Sequence, residues 1–158
     1  MTTAVDSSVL LDLLIPGSAH GDASRDMLEE WSAKGQLVLS EPVYAEVVAP
    51  FGDKGEADAF LARTGLRMLS SVDQSLHQAG VAWTEYRRRR RGNLQCASCG
   101  KVVKVVCDRC GAAIRARQRV LADFLIGAHA VVQADRLVTR DRGFYRQYFG
   151  TLEIVLPA

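Results

Sequence analysis

The chain has 158 residues, 48% apolar and 24% charged, which supports one core of ordinary size and excludes a disordered chain. No apolar run reaches the roughly 18 residues of a membrane span, and MTTAVDSSVLLDLL has no basic stretch before its short apolar segment, so the expected location is the cytoplasm. The net charge of +2 conceals a segregation: residues 85–119 hold eleven Lys or Arg against two acids, and the remainder is net acidic. A basic block on an acidic chain is a candidate contact for a polyanion.

In chain order, TAV (3–5) is a short strand and SSVLLDLL a helix. DASRDMLEEWSAKG (22–35) puts Met27, Leu28 and Trp31 on one helical face and stops at Gly35. QLVLS (36–40) is a strand, after which Ser40 is placed as an N-cap with Pro42 near the first helical position, opening a helix that Pro50 closes. A helix over 54–65, a strand over 66–70 and a long helix over 71–91 follow. After a cysteine-containing block, 112–134 reads as a second long helix, 136–139 as a strand, 143–149 as a short helix and 152–156 as the last strand. Strands alternating with helices imply an α/β domain on a mainly parallel sheet of four or five strands.

Four carboxylates stand out. Asp6 follows the first strand, at the carboxyl end where open parallel sheets place their ligands, and Asp141 follows RLVT in the same way. Glu46 has Val43, Tyr44, Val47 and Val48 as neighbours. Asp123 lies in VLADFLIGAHAVV, apolar on nearly every side and therefore expected to be buried. Each has a plain explanation alone: helix N-caps for Asp6 and Asp141, half-exposure for Glu46, a pair with Arg119 for Asp123. Together they point to one shared cation, since buried carboxylates need partners. Hard oxygen ligands suit Mg²⁺ or Mn²⁺.

Other chemistries lack their residues. His20, His77 and His129 lie in unrelated settings, and His129 reads as a packed core histidine. No phosphate-cradling glycine loop is present, and Ser8 stands where a D-x-D phosphatase would carry its second acid.

The segments AVDSSVLLDLL, EPVYAEVV, DFLIGAHAVVQADRLVTRDRGFYRQYF and LEIVLP resemble a PIN domain, and within that family the VapC-type toxins of toxin–antitoxin pairs. The resemblance covers residues 1–91 and 112–158, and it is most specific in DFLIGAHA followed by LVTRD. It implies a PIN-like sheet, RNA cleavage with a divalent metal, and Asp6, Glu46, Asp123 and Asp141 as the catalytic, metal-binding acids. Ser8 and Thr139 match its supporting hydroxyl positions. It further implies a small antitoxin partner and a homodimer. The departure from the toxin pattern is the cysteine block.

Cys96-Ala-Ser-Cys99-Gly and Cys107-Asp-Arg-Cys110-Gly are two C-x-x-C turns separated by seven residues, with KVVKVV between them able to form a short hairpin strand. Four thiolates in this spacing suit a structural Zn²⁺; an iron–sulfur cluster or disulfides are the alternatives, the latter disfavoured in a reducing cytoplasm. The expected arrangement is a zinc ribbon at 92–111 inserted into a nuclease domain. It is flanked by Arg88, Arg89, Arg90 and Arg91 and carries Arg109, with Arg115 just beyond it, a set suited to nucleic-acid phosphates. The plain alternative is a solvated face beside a metal clip. The reading is a metal-dependent endoribonuclease. Its rivals are a PIN nuclease of ribosomal RNA maturation and a non-catalytic zinc-ribbon module that binds nucleic acid. Four acids at one site argue against the last.

Overall fold

The computed structural model describes residues 1–89, 94–95, 102–103, 105–114 and 121–157. Strand β1 (Thr2–Val5) is followed by α1 (Ser7–Leu14), α2 (Gly21–Lys34), β2 (Gln36–Leu39), α3 (Glu41–Val48), α4 (Lys54–Thr64), β3 (Leu66–Met68) and α5 (Asp73–Arg89). Then come β4 (Leu94–Gln95), β5 (Val102–Val103), β6 (Val105–Val106) and β7 (Ala113–Ile114). The chain ends with α6 (Leu121–Gln133), β8 (Arg136–Val138), α7 (Arg142–Tyr148) and β9 (Glu153–Val155). Five strands form one sheet in the order β3-β2-β1-β8-β9, every pair parallel. The expected α/β architecture is therefore present with five strands.

Chain order runs outward from β1 through β2 to β3, then returns to β8 on the other side of β1. Parallel sheets offer their ligand crevice at such a reversal, beyond the carboxyl ends of the strands. The strands carry near-continuous apolar runs because helices cover the sheet. Val5, Leu37, Val38, Leu39, Leu137 and Val138 are buried almost completely, each contributing about 1.5–3 kcal/mol. Helix α6 closes the core by a tight approach to the segment after α7: a Cβ at Gly127 would overlap the Phe149 ring. Trp83, Tyr86, Phe124, Phe144 and Tyr148 stack beside it, with Phe124 and Phe144 centroids 5.0 Å apart.

Two local expectations change. The helix read from 112 is not helical there: Ala113–Ile114 pairs antiparallel with Val105–Val106, and the described part of α6 begins at Leu121. Gly111, with φ of 70°, turns the chain so that an apolar pair can close a hairpin sooner than a helix can start. Ser40 stands at the N-cap of α3 but its side chain makes no capping hydrogen bond. Among the described residues no helix is long and apolar enough to cross a membrane.

Candidate active site

The register of the sheet places three side chains in a row. Ala4 pairs with Val38 on one side and Leu137 on the other, so two residues further on Asp6 lies between Ser40 and Thr139 at the carboxyl edge. Asp6 is extended at the N-cap of α1, but its carboxylate does not cap that helix. It turns into the protein, 5% exposed. Oδ2 accepts hydrogen bonds from Ser8 Oγ at 2.7 Å and Thr139 Oγ1 at 2.6 Å. Oδ1 receives the Tyr145 hydroxyl at 3.4 Å. Donors of this number offset the cost of burying the charge.

Both supporting hydroxyls are fixed in turn. The backbone N–H of Asp141 donates to Thr139 Oγ1 at 3.0 Å, and that of Arg140 donates to Ser8 Oγ at 3.3 Å. Asp141 also caps α7, accepting from Phe144 N at 3.2 Å, as its plain reading requires. Asp123 occupies the first turn of α6 and is half-buried, less than its apolar neighbours suggest. A helix N-terminus favours a carboxylate there.

Tyr145 draws these acids together. Burial pushes its hydroxyl well above the ordinary tyrosine value, and the charges of Asp6, Asp123 and Asp141 push it further in the same direction. The phenol therefore keeps its proton and acts as a donor to Asp6, never as a base. Glu46 is absent from that set of charges. Val43 and Val47 form the buried stripe of α3, and Glu46 lies off it, exposed, so its apolar neighbours in sequence do not surround it in space. Asp6, Asp123 and Asp141 thus share the surroundings of the Tyr145 hydroxyl, and Glu46 is an exposed residue of α3.

Among the described residues, no three His, Cys, Asp or Glu side chains close on one point as a ready metal cage. The ligand atoms are all hard oxygens, and among the described residues Oδ1 of Asp6 has a single long donor. An open, oxygen-only set fits Mg²⁺ or Mn²⁺, which retain waters and take few carboxylates from the protein. Ser40 adds a buried hydroxyl at this edge with no hydrogen-bond partner among the described residues.

Behind the edge lies a second buried acid. Asp12 on α1 accepts from Ser18 Oγ at 3.2 Å and Ser24 Oγ at 2.9 Å, and pairs with Arg140 Nε at 3.1 Å. The sequence did carry a signal for it, an acid between Leu10-Leu11 and Leu13-Leu14, the same signal that marks Asp123. Tyr145 has no such signal, because a tyrosine in GFYRQYF reads as apolar packing. His129 is a core residue as expected, donating from Nε2 to Leu69 O at 2.8 Å.

The cysteine block is described in part. The antiparallel pairs β4–β5 and β6–β7 bracket the two C-x-x-C segments. Cys107 N donates to Ala112 O and Gly111 N to Cys107 O, each at 2.8 Å. The N–H groups of Cys110 and Arg109 and the Cys110 side chain hold the Cys107 thiol below its ordinary value, which favours the thiolate that a metal requires. Cys96, Cys99, Arg90, Arg91 and Arg115 lie outside the described residues, as does the side chain of Arg89. Arg88 and Arg109 are exposed.

Structures of similar fold include VapBC2 from Rickettsia felis bound to a DNA fragment from their promoter, at 16% identity and a TM-score of 0.62 over 99% of this chain and 98% of that one. FitAB bound to an IR36 DNA fragment gives 16% and 0.57 over 98% and 94%. VapC20 of Mycobacterium tuberculosis, a Sarcin-Ricin loop cleaving toxin, gives 16% and 0.54 over 96% and 98%. Curated protein sequences gave no match. Residues 3–150 match the PIN domain family, and with the parallel sheet and the acidic edge already in place, the chain belongs to that family.

Proposed function

We propose that this protein is a divalent-metal-dependent endoribonuclease, the toxin of a toxin–antitoxin pair. The observation that carries the reading is the Asp6 carboxylate, buried at the sheet edge, held by Ser8 and Thr139, and sharing the Tyr145 hydroxyl's surroundings with Asp123 and Asp141. Asp6, Asp123 and Asp141, with Glu46 from α3, would hold Mg²⁺ or Mn²⁺. The metal would supply an activated water and neutralise charge on the scissile phosphate. Ser8 and Thr139 fix the rotamer of Asp6, and Tyr145 keeps a proton directed at its other oxygen. A similar fold in a Sarcin-Ricin loop cleaving toxin supports RNA as the substrate class. The VapBC2 and FitAB assemblies support a small antitoxin as partner, and a homodimer in the cytoplasm is the form we expect.

In the same reading Cys96, Cys99, Cys107 and Cys110 hold one Zn²⁺ in a ribbon inserted between the parts 1–91 and 112–158. The supporting feature is the Cys107 turn with its N–H groups directed at sulfur. Arg88, Arg89, Arg90, Arg91, Arg109 and Arg115 would then carry RNA phosphates beside it. The deciding experiment is cleavage of labelled single-stranded RNA by purified protein in Mn²⁺. Asp6→Asn, Asp123→Asn and Glu46→Gln should each remove the activity from a folded protein. Wild-type rates in all three would end the nuclease reading. A protein that expresses freely, harms no host and runs as a monomer without a partner would end the toxin assignment.

A further inference from the structure

We infer that Arg140 is a substrate-contacting residue: held in an ion pair by the buried Asp12, it offers its exposed guanidinium to a backbone phosphate of RNA lying beside the aspartates. The inference rests on the nuclease reading and deepens it.

Arg140 stands between Thr139 and Asp141, and its main chain belongs to the site, since its N–H donates to the Ser8 hydroxyl that holds Asp6. Its side chain pairs with Asp12 Oδ2 at 3.1 Å. The exposures of the two partners are unequal: the Asp12 side chain is 2% exposed and that of Arg140 is 40% exposed. A buried carboxylate needs a compensating cation, and this cation reaches water. Here the carboxylate is sunk into α1 and fixed by Ser18 and Ser24, while the guanidinium stays at the surface.

A guanidinium has five N–H donors in one plane. Asp12 holds the group in an ion pair, closest at Nε, and part of the side chain stays in contact with water. Holding the side chain in an ion pair lowers the rotamer freedom it would lose on binding, and a guanidinium matches a phosphate bidentately. The location needs such a cation. Asp6, Asp123 and Asp141 together repel a polyanion, and Arg140 is the positive group adjoining Asp141 on the strand side. Asp12 is then a positioning residue, acting through Arg140.

The test uses the full chain and fluorescein-labelled single-stranded RNA, with binding followed by anisotropy in EDTA across a salt series and cleavage followed in Mn²⁺. Arg140→Gln should weaken binding about tenfold and make the slope of log K against log salt shallower by about 0.7, one phosphate contact fewer. KM should rise to match while kcat stays within about threefold. Arg140→Lys should keep the slope and lose part of the affinity, because the charge remains and the fork does not. Asp12→Asn should also keep the slope while raising KM, as the cation remains but is no longer clamped. Unchanged slope and affinity in Arg140→Gln would overturn the inference and leave the pair a structural tie. If Asp6→Asn cleaves like wild type, the nuclease reading fails instead, and the metal-free binding slopes still decide Arg140.

Discussion

Asp6 and Cys107 are the best-described members of two chemical groups, and they are ordered by different means. Asp6 continues the central strand of a five-stranded sheet, and its partners come from α1, from the end of β8 and from α7, up to 139 residues away in sequence. Cys107 sits in a turn whose described bonds reach no further than Ala112. The first group is positioned by the folding of the whole domain, so its geometry exists before any ligand arrives. The second has short hairpins with the exposed Val105 and Val106 beside the turn, and the proposed structural metal would supply the order that a core supplies elsewhere. Substitutions in the two regions should therefore fail differently: at the sheet edge chemistry is lost without unfolding, and at the turn local order is lost without harm to the domain.

The largest expected effect is at Asp6. Asp6→Asn should lower RNA cleavage by roughly 10³-fold or more, while circular dichroism stays native and the melting temperature stays level or rises, since one of three neighbouring negative charges is gone. A melted Asp6→Asn protein would break the comparison, because the carboxylate would then belong to the scaffold. Thr139→Val comes next. It removes the 2.6 Å donor to Asp6 and the acceptor of the Asp141 N–H together, so a loss of about 10–100-fold in activity or metal affinity is expected. Isothermal titration with Mn²⁺ checks that figure independently of turnover.

Cys107→Ser should take bound zinc from one ion per chain to none, measured by metal analysis of protein purified without added metal. The main melting transition should move by less than about 2 °C, the effect of a surface substitution on a domain of this size. A collapse of that transition would show that the cysteine turn is part of the core's support, and the two regions would no longer be separate.

Sequence alone was a good guide to the first region's frame and a poor one to its wiring. The strands were legible because QLVL and RLV are short apolar runs bounded by turn residues, and they are buried as such runs require. Ser8 and Thr139 were legible through family resemblance, and both prove to hold Asp6. Tyr145 and Arg140 were not, since their roles depend on contacts with residues 139 and 128 positions away, which periodicity does not encode. Ser40 looked like a helix cap and caps nothing, because the sheet register sets it beside Asp6. The start of α6 was misplaced because Ala and Ile suit a helix locally, while pairing with Val105 and Val106 is a tertiary choice.

The smallest effect separates the regions by pH. His129 is buried on α6 and tied to Leu69 O, which places it in the scaffold and away from the cysteines in sequence and element. Burial holds its imidazole below the ordinary value, against the opposing pull of the Leu69 hydrogen bond and the Glu41 charge. The unfolded chain, with an ordinary histidine near ~6.5, therefore takes up the proton first as the solution is acidified. Stability from this residue is complete above that value and is lost as pH falls towards the folded value, by about 1.4 kcal/mol for each unit between the two. His129→Gln keeps a donor for Leu69 O and removes the titration. Melting temperature measured from pH 7.5 to 5 should fall more steeply in wild type than in this variant, with zinc content equal in the two proteins at every pH. Parallel melting curves would mean that the imidazole titrates alike in both states and contributes nothing to acid sensitivity. A difference in zinc content would mean that the scaffold and the cysteine turn are coupled after all.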